Sequence, residues 1–196
     1  MSDEASNDSS DGNRKRVFFA YVPNAATKAV LHDAVETVTG CDATRMRWLE
    51  ADNWHVTLRF VGDVATEMVE HLASGLGDVA AHHEAFAMPL TAIDVFPSSR
   101  KPRVLAALGV PDERSIALVD ALQALCAGLG LAAESRPWRP HLTFARIRGS
   151  KTLEFEAHAL NTVCSVQELV LLQSVAGERG RDYIRIAHAT LRDAVA

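Results

Sequence analysis

The chain has 196 residues, 48% hydrophobic and 23% charged, which is enough to bury the core of one domain. Its formal net charge is −5, of which Asp3, Glu4, Asp8 and Asp11 supply four units, so the remainder is near neutral and suits a small ligand or a nucleic-acid end better than a long nucleic acid held by its phosphates. An opening stretch almost without apolar residues, no later run of bilayer length, and three cysteines (Cys41, Cys126, Cys164) without even number or metal-ligand spacing argue against a signal peptide, a membrane span, a disulfide framework or a zinc site, leaving a reducing cytoplasm as the expected setting.

Residues 1–13 are polar and acidic and are expected to form a flexible tail, with residues 14–196 forming a single bilobal domain. Arg14, Lys15 and Arg16 read as a solvated edge. Residues 17–22 form an apolar run ended by Pro23, a first strand. Asn24 is placed to cap a helix in which Val30, Leu31, Ala34, Val35 and Val38 recur at helical spacing, with Gly40 to stop it. A short strand is expected at 46–49, a turn at Asp52 and Asn53, and a strand from His55 to Val61 that breaks at Gly62. A second helix follows over 66–80, with Met68, Leu72, Leu76 and Val79 on one stripe. Residues 86–96 and 103–108 look like a hairpin, giving a first lobe of β, α, β, α, β, β. The third helix, 112–129, buries Ile116, Val119, Leu122, Cys126 and Leu129. Arg136-Pro137-Trp138-Arg139-Pro140 is a stiff extended lead-in to a strand at His141. Further strands are expected at 153–160, 166–175 and 183–191. No long apolar stripe demands a protein partner, so a monomer is expected.

Two stretches share a pattern: His55-Val56-Thr57-Leu58 and His141-Leu142-Thr143-Phe144, 86 residues apart. On a strand, side chains two apart share a face, so each strand shows one imidazole beside one hydroxyl. A single His-x-Thr is a weak signal. Two copies in strand-like runs, near half a chain apart, point to two similar lobes facing each other across a cleft. Imidazoles titrate near neutrality, so one ring can take a proton from water while the other gives one to a leaving alkoxide. Thr57 and Thr143 can donate to non-bridging phosphate oxygens, and Arg146 can neutralise charge that grows there. That is a metal-free arrangement for in-line displacement at phosphorus, with no cofactor required, and a strained cyclic phosphodiester is its natural target. Trp138 offers a face on which a base could stack. His32, His71, His82, His83, His158 and His188 read as solvated or locally satisfied, and Arg59 as structural or solvated.

The two tetrads resemble the signatures of the two-histidine (2H) phosphoesterase superfamily, in particular its RNA 2′,3′-cyclic phosphodiesterase branch, also called the 2′-5′ RNA ligase family. The likeness also takes in Arg16 to Ala20, Phe60 to Val64, Phe96-Pro97, Pro102 to Leu105, Arg136 to Pro140, Ala145-Arg146 and Leu171 to Ser174. It implies an α+β fold of two lobes related by a pseudo-twofold axis, whose two antiparallel sheets meet in a concave site with helices outside. It implies hydrolysis of a cyclic phosphate, on an RNA 3′ end or a small nucleotide, to a 2′-phosphate. His55 would be the proton donor to the leaving 3′-oxygen and His141 the acceptor from water, with Thr57, Thr143 and Arg146 holding the phosphate. Joining of tRNA halves through a 2′-5′ bond, or non-catalytic binding of RNA ends, would use the same residues. Trp54 stands where the family more often has an aliphatic residue.

Overall fold

The computed structural model describes residues 13–38, 43–149, 151–178 and 180–193. The expected acidic tail through residue 12, the stop at Gly40 and Cys41 lie outside these. Asn13, assigned to the tail from sequence, accepts hydrogen bonds from the backbone and hydroxyl of Thr66. The first strand accordingly starts earlier than its apolar run. It is β1 (Arg14–Tyr21), whose basic residues pair along the later part of β3 (Val56–Ala65).

Between them come α1 (Ala25–Glu36) and the short β2 (Met46–Trp48). The Asn24 side chain accepts from the Thr27 N–H at 2.8 Å, as the sequence predicts. α1 ends at Glu36 with Thr37 as its cap, and it buries Thr27 and Leu31 and leaves Val30 half exposed, because Val30 lies about 100° around the helix from Leu31. β3 does not break at Gly62. Val61 is an extra residue opposite Val17 and Phe18, and Gly62, at φ +97°, absorbs the bulge so that pairing runs on to Ala65.

α2 (Thr66–Ala81) is followed by the antiparallel β4 (Phe86–Phe96) and β5 (Val104–Gly109). α3 (Glu113–Gly128) is opened by a reciprocal cap in which the Asp112 carboxylate accepts from the Ser115 N–H and the Ser115 hydroxyl accepts from the Asp112 N–H. Its buried stripe is Ser115, Leu118, Val119, Leu122 and Cys126, leaving Ile116 exposed. β6 (His141–Ile147), β7 (His158–Val166), β8 (Glu168–Gly177) and β9 (Gly180–Thr190) complete the chain. The strand expected over 153–160 begins only at His158, where pairing with β4 starts. Ahead of it Leu153 is anchored in the core through a backbone bond to Ser99 rather than through a ladder.

The strands form one antiparallel sheet in the order β7-β4-β5-β6-β3-β1-β8-β9, with β2 alongside β6. Apart from β2 it is two four-stranded sets whose strands share one ladder pair, Val56 with Leu142, and an isolated bridge of Glu84 with Arg192 links the segments before β4 and after β9. The sets are not contiguous in sequence. β1 and β3 are completed by β8 and β9 from the chain's end, while β4 and β5 pair with β6 and β7, so the expected contiguous first lobe is replaced by an interleaved one. The buried stripes of all three helices enter one core with the inward residues of both sets. On the opposite face a small second cluster, Phe18, Ala20, Val170 and Leu172, lines one set.

Trp54 belongs to the main core. It is 4% exposed, its ring meets Phe144 edge-on at 5.1 Å, and its indole N–H donates to the Leu49 carbonyl. Trp54→Ala should therefore cost about 3–5 kcal/mol of stability by the usual large-to-small rule, read as a shift of the urea unfolding midpoint. A change below about 1 kcal/mol would contradict its place in the core.

Candidate active site

The join between the two sets brings the motifs together. Val56 and Leu142 are antiparallel partners with both side chains fully buried. Continuing that register by one residue in each direction sets His55 opposite Thr143 and Thr57 opposite His141, all four on the face away from the core. His55, Thr57, His141 and Thr143 are each partly accessible there. The two motifs are close enough to interact: the positive charge of His141 is among the groups that disfavour protonation of His55.

Strict alternation would send Arg146 to the opposite face from Thr143. In the ladder Thr143 pairs with Ala106 and Ala145 with Leu105, so Phe144 is an extra residue in β6. Phe144 and Ala145 both turn into the core, and Arg146 returns to the face of Thr143. The first motif does the same. Thr57 pairs with Ala20 and Arg59 with Phe19, so Leu58 is the extra residue, Arg59 is buried and Phe60 returns to the cleft face, 40% exposed. Because β3 and β6 are antiparallel, Arg146 and Phe60 lie toward opposite ends of the join. The Arg16 guanidinium sits 4.9 Å over the Phe60 ring.

Both imidazoles are oriented in the same way. His55 Nδ1 bonds the Asn53 carbonyl at 2.8 Å and His141 Nδ1 bonds the Arg139 carbonyl at 2.9 Å. A carbonyl can only accept, so Nδ1 carries the hydrogen in both rings and Nε2 is the nitrogen left for chemistry. Their surroundings differ. His55 packs against Phe18 (5.0 Å) and the edge of Tyr183 (4.6 Å), over the small apolar cluster. Burial there pulls its pKa down from 6.5 to about 4; the bond to Asn53 works the other way, and the charges of His141 and Arg146 add to the fall. His141 stacks on Phe96 at 4.1 Å, and Arg139 covers Phe96 at 4.5 Å. Its pKa is also lowered, first by burial and then by Arg139, against the Arg139 carbonyl bond.

Arg146 is held by Tyr183, whose hydroxyl accepts from Nη2 at 3.3 Å. This contact ties one set of strands to the other and fixes the arginine beside His55. Tyr183, Phe18, Phe96 and Phe60 have no site role assigned from the sequence, and the strand pairing brings them to the cleft. Trp138 donates its indole N–H to the Thr57 carbonyl at 2.9 Å and lines a cavity of about 210 Å³ with Phe96, Leu108, Pro111, Arg139 and Pro140. Arg59 bonds the carbonyls of Phe60 and Ala132, a structural clamp, the first of the two roles the sequence left open; alternation would set it on the face of Thr57, and the bulge at Leu58 turns it inward. Among the described residues the one group with ligand atoms close enough to share a metal is His32, Asp33 and Glu36, exposed on α1 and apart from these side chains.

Residues 22–106 match the family model described as LigT like Phosphoesterase. The chain is 32% identical over 134 residues to an RNA 2′,3′-cyclic phosphodiesterase of Geobacillus stearothermophilus, a match covering 65% of this chain and 42% of that protein. It is 30% identical over 111 residues to the protein of the same name from Aeropyrum pernix, covering 55% and 61%. The chain thus spans about half the length of these curated relatives. A crystal structure of E. coli LigT complexed with 3′-AMP superposes with a TM-score of 0.74 at 25% identity, covering 91% of this chain and 98% of that one, which establishes the shared fold.

The electrostatics can be read directly by NMR. The His55 ring should titrate near pH 4 and the His141 ring below the ordinary imidazole value. Arg146→Ala removes a positive charge that opposes protonation and should move the His55 midpoint upward. An unchanged His55 midpoint in that variant would show that Arg146 does not act on the ring.

Proposed function

We propose that the chain is a LigT-like phosphoesterase of the 2H superfamily, as its match to that family model over residues 22–106 supports, and that it hydrolyses a terminal 2′,3′-cyclic phosphate of RNA or of a nucleotide to a 2′-phosphate, without a metal. The observation that carries this reading is the antiparallel join at Val56 and Leu142, which sets two His/Thr pairs against each other on one face. The relatives named for this activity and the nucleotide in the LigT complex support it.

In the proposed reaction a water oxygen attacks phosphorus from the side of His141, whose neutral Nε2 takes the water proton. The bond from phosphorus to the 3′-oxygen breaks on the other side, and the proton on His55 Nε2 passes to that oxygen. Thr57, Thr143 and Arg146 hold the non-bridging oxygens, where donors are most effective as charge grows. The nucleoside would extend toward the Phe60 and Trp138 end, where an exposed ring and the 210 Å³ cavity offer apolar surface.

In the free protein His55 is neutral at pH 7, yet the acid role needs it charged. A phosphodiester anion between the rings supplies the opposing charge that raises its pKa, so acid and anion arrive together. This coupling has a kinetic signature. The profile of kcat/KM, which reports the free protein, should be a bell on the acid side of 6.5, since both pKa values are lowered there. The profile of kcat should fall off at higher pH than that of kcat/KM, because the bound anion raises the acid.

Turnover of a 2′,3′-cyclic nucleotide should survive excess chelator and yield the 2′-phosphate. His55→Ala and His141→Ala should each lower kcat by about 10²–10⁴-fold while circular dichroism stays unchanged. A 3′-phosphate product would reverse the leaving group, and wild-type rates in either variant would remove the two-histidine mechanism.

A further inference from the structure

A second arginine stands beside Arg146 on the cleft face. β2 pairs with β6 so that Arg47 is the cross-strand neighbour of Arg146, while the adjoining pair, Met46 and Ile147, turns into the core. Arg47 therefore shares the face of Arg146 and of the two motifs. Its head reaches across to the other set of strands and lies against Gly180, the first residue of β9, where a Cβ would fall 2.8 Å from the Arg47 Cζ. Gly180, at φ +133°, leaves that space to the guanidinium.

Two like charges directly opposite on neighbouring strands repel. Among the described residues neither arginine has a carboxylate within ion-pair distance, and the hydrogen bond from Arg146 goes to a neutral hydroxyl. Elsewhere exposed arginines find acids, as Arg16 finds Asp63, Arg136 finds Glu134 and Arg185 finds Glu168. The pair is thus a concentration of positive charge that an anion in the cleft would relieve, and the planar guanidinium fork suits phosphate oxygens. The arginines sit at the end of the join away from Phe60, so a nucleotide with its base toward Phe60 and its cyclic phosphate between the histidines would direct its 5′ side toward them.

We propose that Arg47 binds a second phosphate of the substrate, the one on the 5′ side of the terminal nucleoside, beside the reacting phosphate that Arg146 neutralises. The inference rests on the hydrolytic reading above and refines its substrate: a nucleic-acid end or a 5′-phosphorylated nucleotide is preferred over a plain nucleoside cyclic phosphate. The near-neutral charge outside the acidic opening residues agrees with contact to one or two phosphates rather than a long strand.

The test compares three substrates: a nucleoside 2′,3′-cyclic phosphate, the same compound with a 5′-phosphate, and a dinucleotide ending in the cyclic phosphate. Wild-type kcat/KM should be at least about tenfold higher for the latter two, the gain expected of a charge-assisted phosphate contact. Arg47→Gln should abolish that preference while leaving the nucleoside cyclic phosphate within about twofold, and Arg47→Lys should restore part of it. For the dinucleotide the slope of log kcat/KM against log salt should become shallower by about 0.7 in Arg47→Gln. A gain with the dinucleotide alone would identify an internucleotide phosphate as the natural occupant; a gain with both would admit either source. No wild-type preference, or equal losses of Arg47→Gln on all three substrates, would overturn the proposal. If wild type turned over none of them, hydrolysis itself would fail, and Arg47 would be judged by binding of a dinucleotide ending in a 2′-phosphate: about tenfold weaker binding in Arg47→Gln supports it, and unchanged affinity overturns it.

Discussion

The molecule depends on the meeting of β3 and β6. Two four-stranded sets share one ladder pair, and at that pair two fully buried aliphatic side chains, Val56 and Leu142, face the helical core. Everything polar in the motifs is then forced to the opposite face by the alternation of a strand. The cost of placing four polar side chains together is met because they lie at a join that is open to solvent, while the hydrophobic gain of the alternate residues is collected beneath. A slip of either strand by one residue at this pair would bury its imidazole and expose its aliphatic residue, so burial itself enforces the register.

The motifs and their shared face were legible in the sequence because they depend only on local alternation. So was the cap at Asn24, which needs only a residue type and a following helix. What the sequence could not display was pairing. A bulge is a property of two strands, and nothing in Thr143-Phe144-Ala145-Arg146 says that Ala106 and Leu105 will face Thr143 and Ala145 and leave Phe144 over. Hence alternation alone would set Arg146 on the wrong face although the sequence assigns it to the phosphate, and Phe60, within a stretch of the likeness, receives no role. The interleaving of the sets is hidden for the same reason, because chain order carries no direct record that β1 is flanked by β3 and β8. The helix stripes were read correctly in kind and rotated in detail: Val30 and Ile116 are as apolar as their neighbours, and only the tertiary contact decides which of them turns inward.

Two nearly identical motifs are given different electrostatics by what surrounds them. Each ring has its Nδ1 pinned by the carbonyl two residues earlier, so backbone geometry makes them equivalent. His55 rests on Phe18 and Tyr183 with Arg146 close by, whereas His141 stacks on Phe96 with Arg139 beyond it. Burial lowers both pKa values, and to about 4 in His55. Equivalent rings would titrate alike; unequal surroundings make these two inequivalent in the free protein, with His55 the more strongly depressed.

The Arg146–Tyr183 hydrogen bond then acquires a meaning beyond holding one side chain. Tyr183 belongs to β9, at the far edge of one set, yet it touches His55 and Phe18 in its own set and Arg146 in the other. Between the named strands the two sets share a single ladder pair, besides an isolated bridge of Glu84 with Arg192, and side chains help fix the distance across the cleft. The Trp138 indole on the Thr57 carbonyl does this at one end and Tyr183 on Arg146 at the other. Placing these two ties on either side of the motifs sets the walls of the cleft at both ends, so the spacing of the two imidazoles is held by side chains as well as by the ladder.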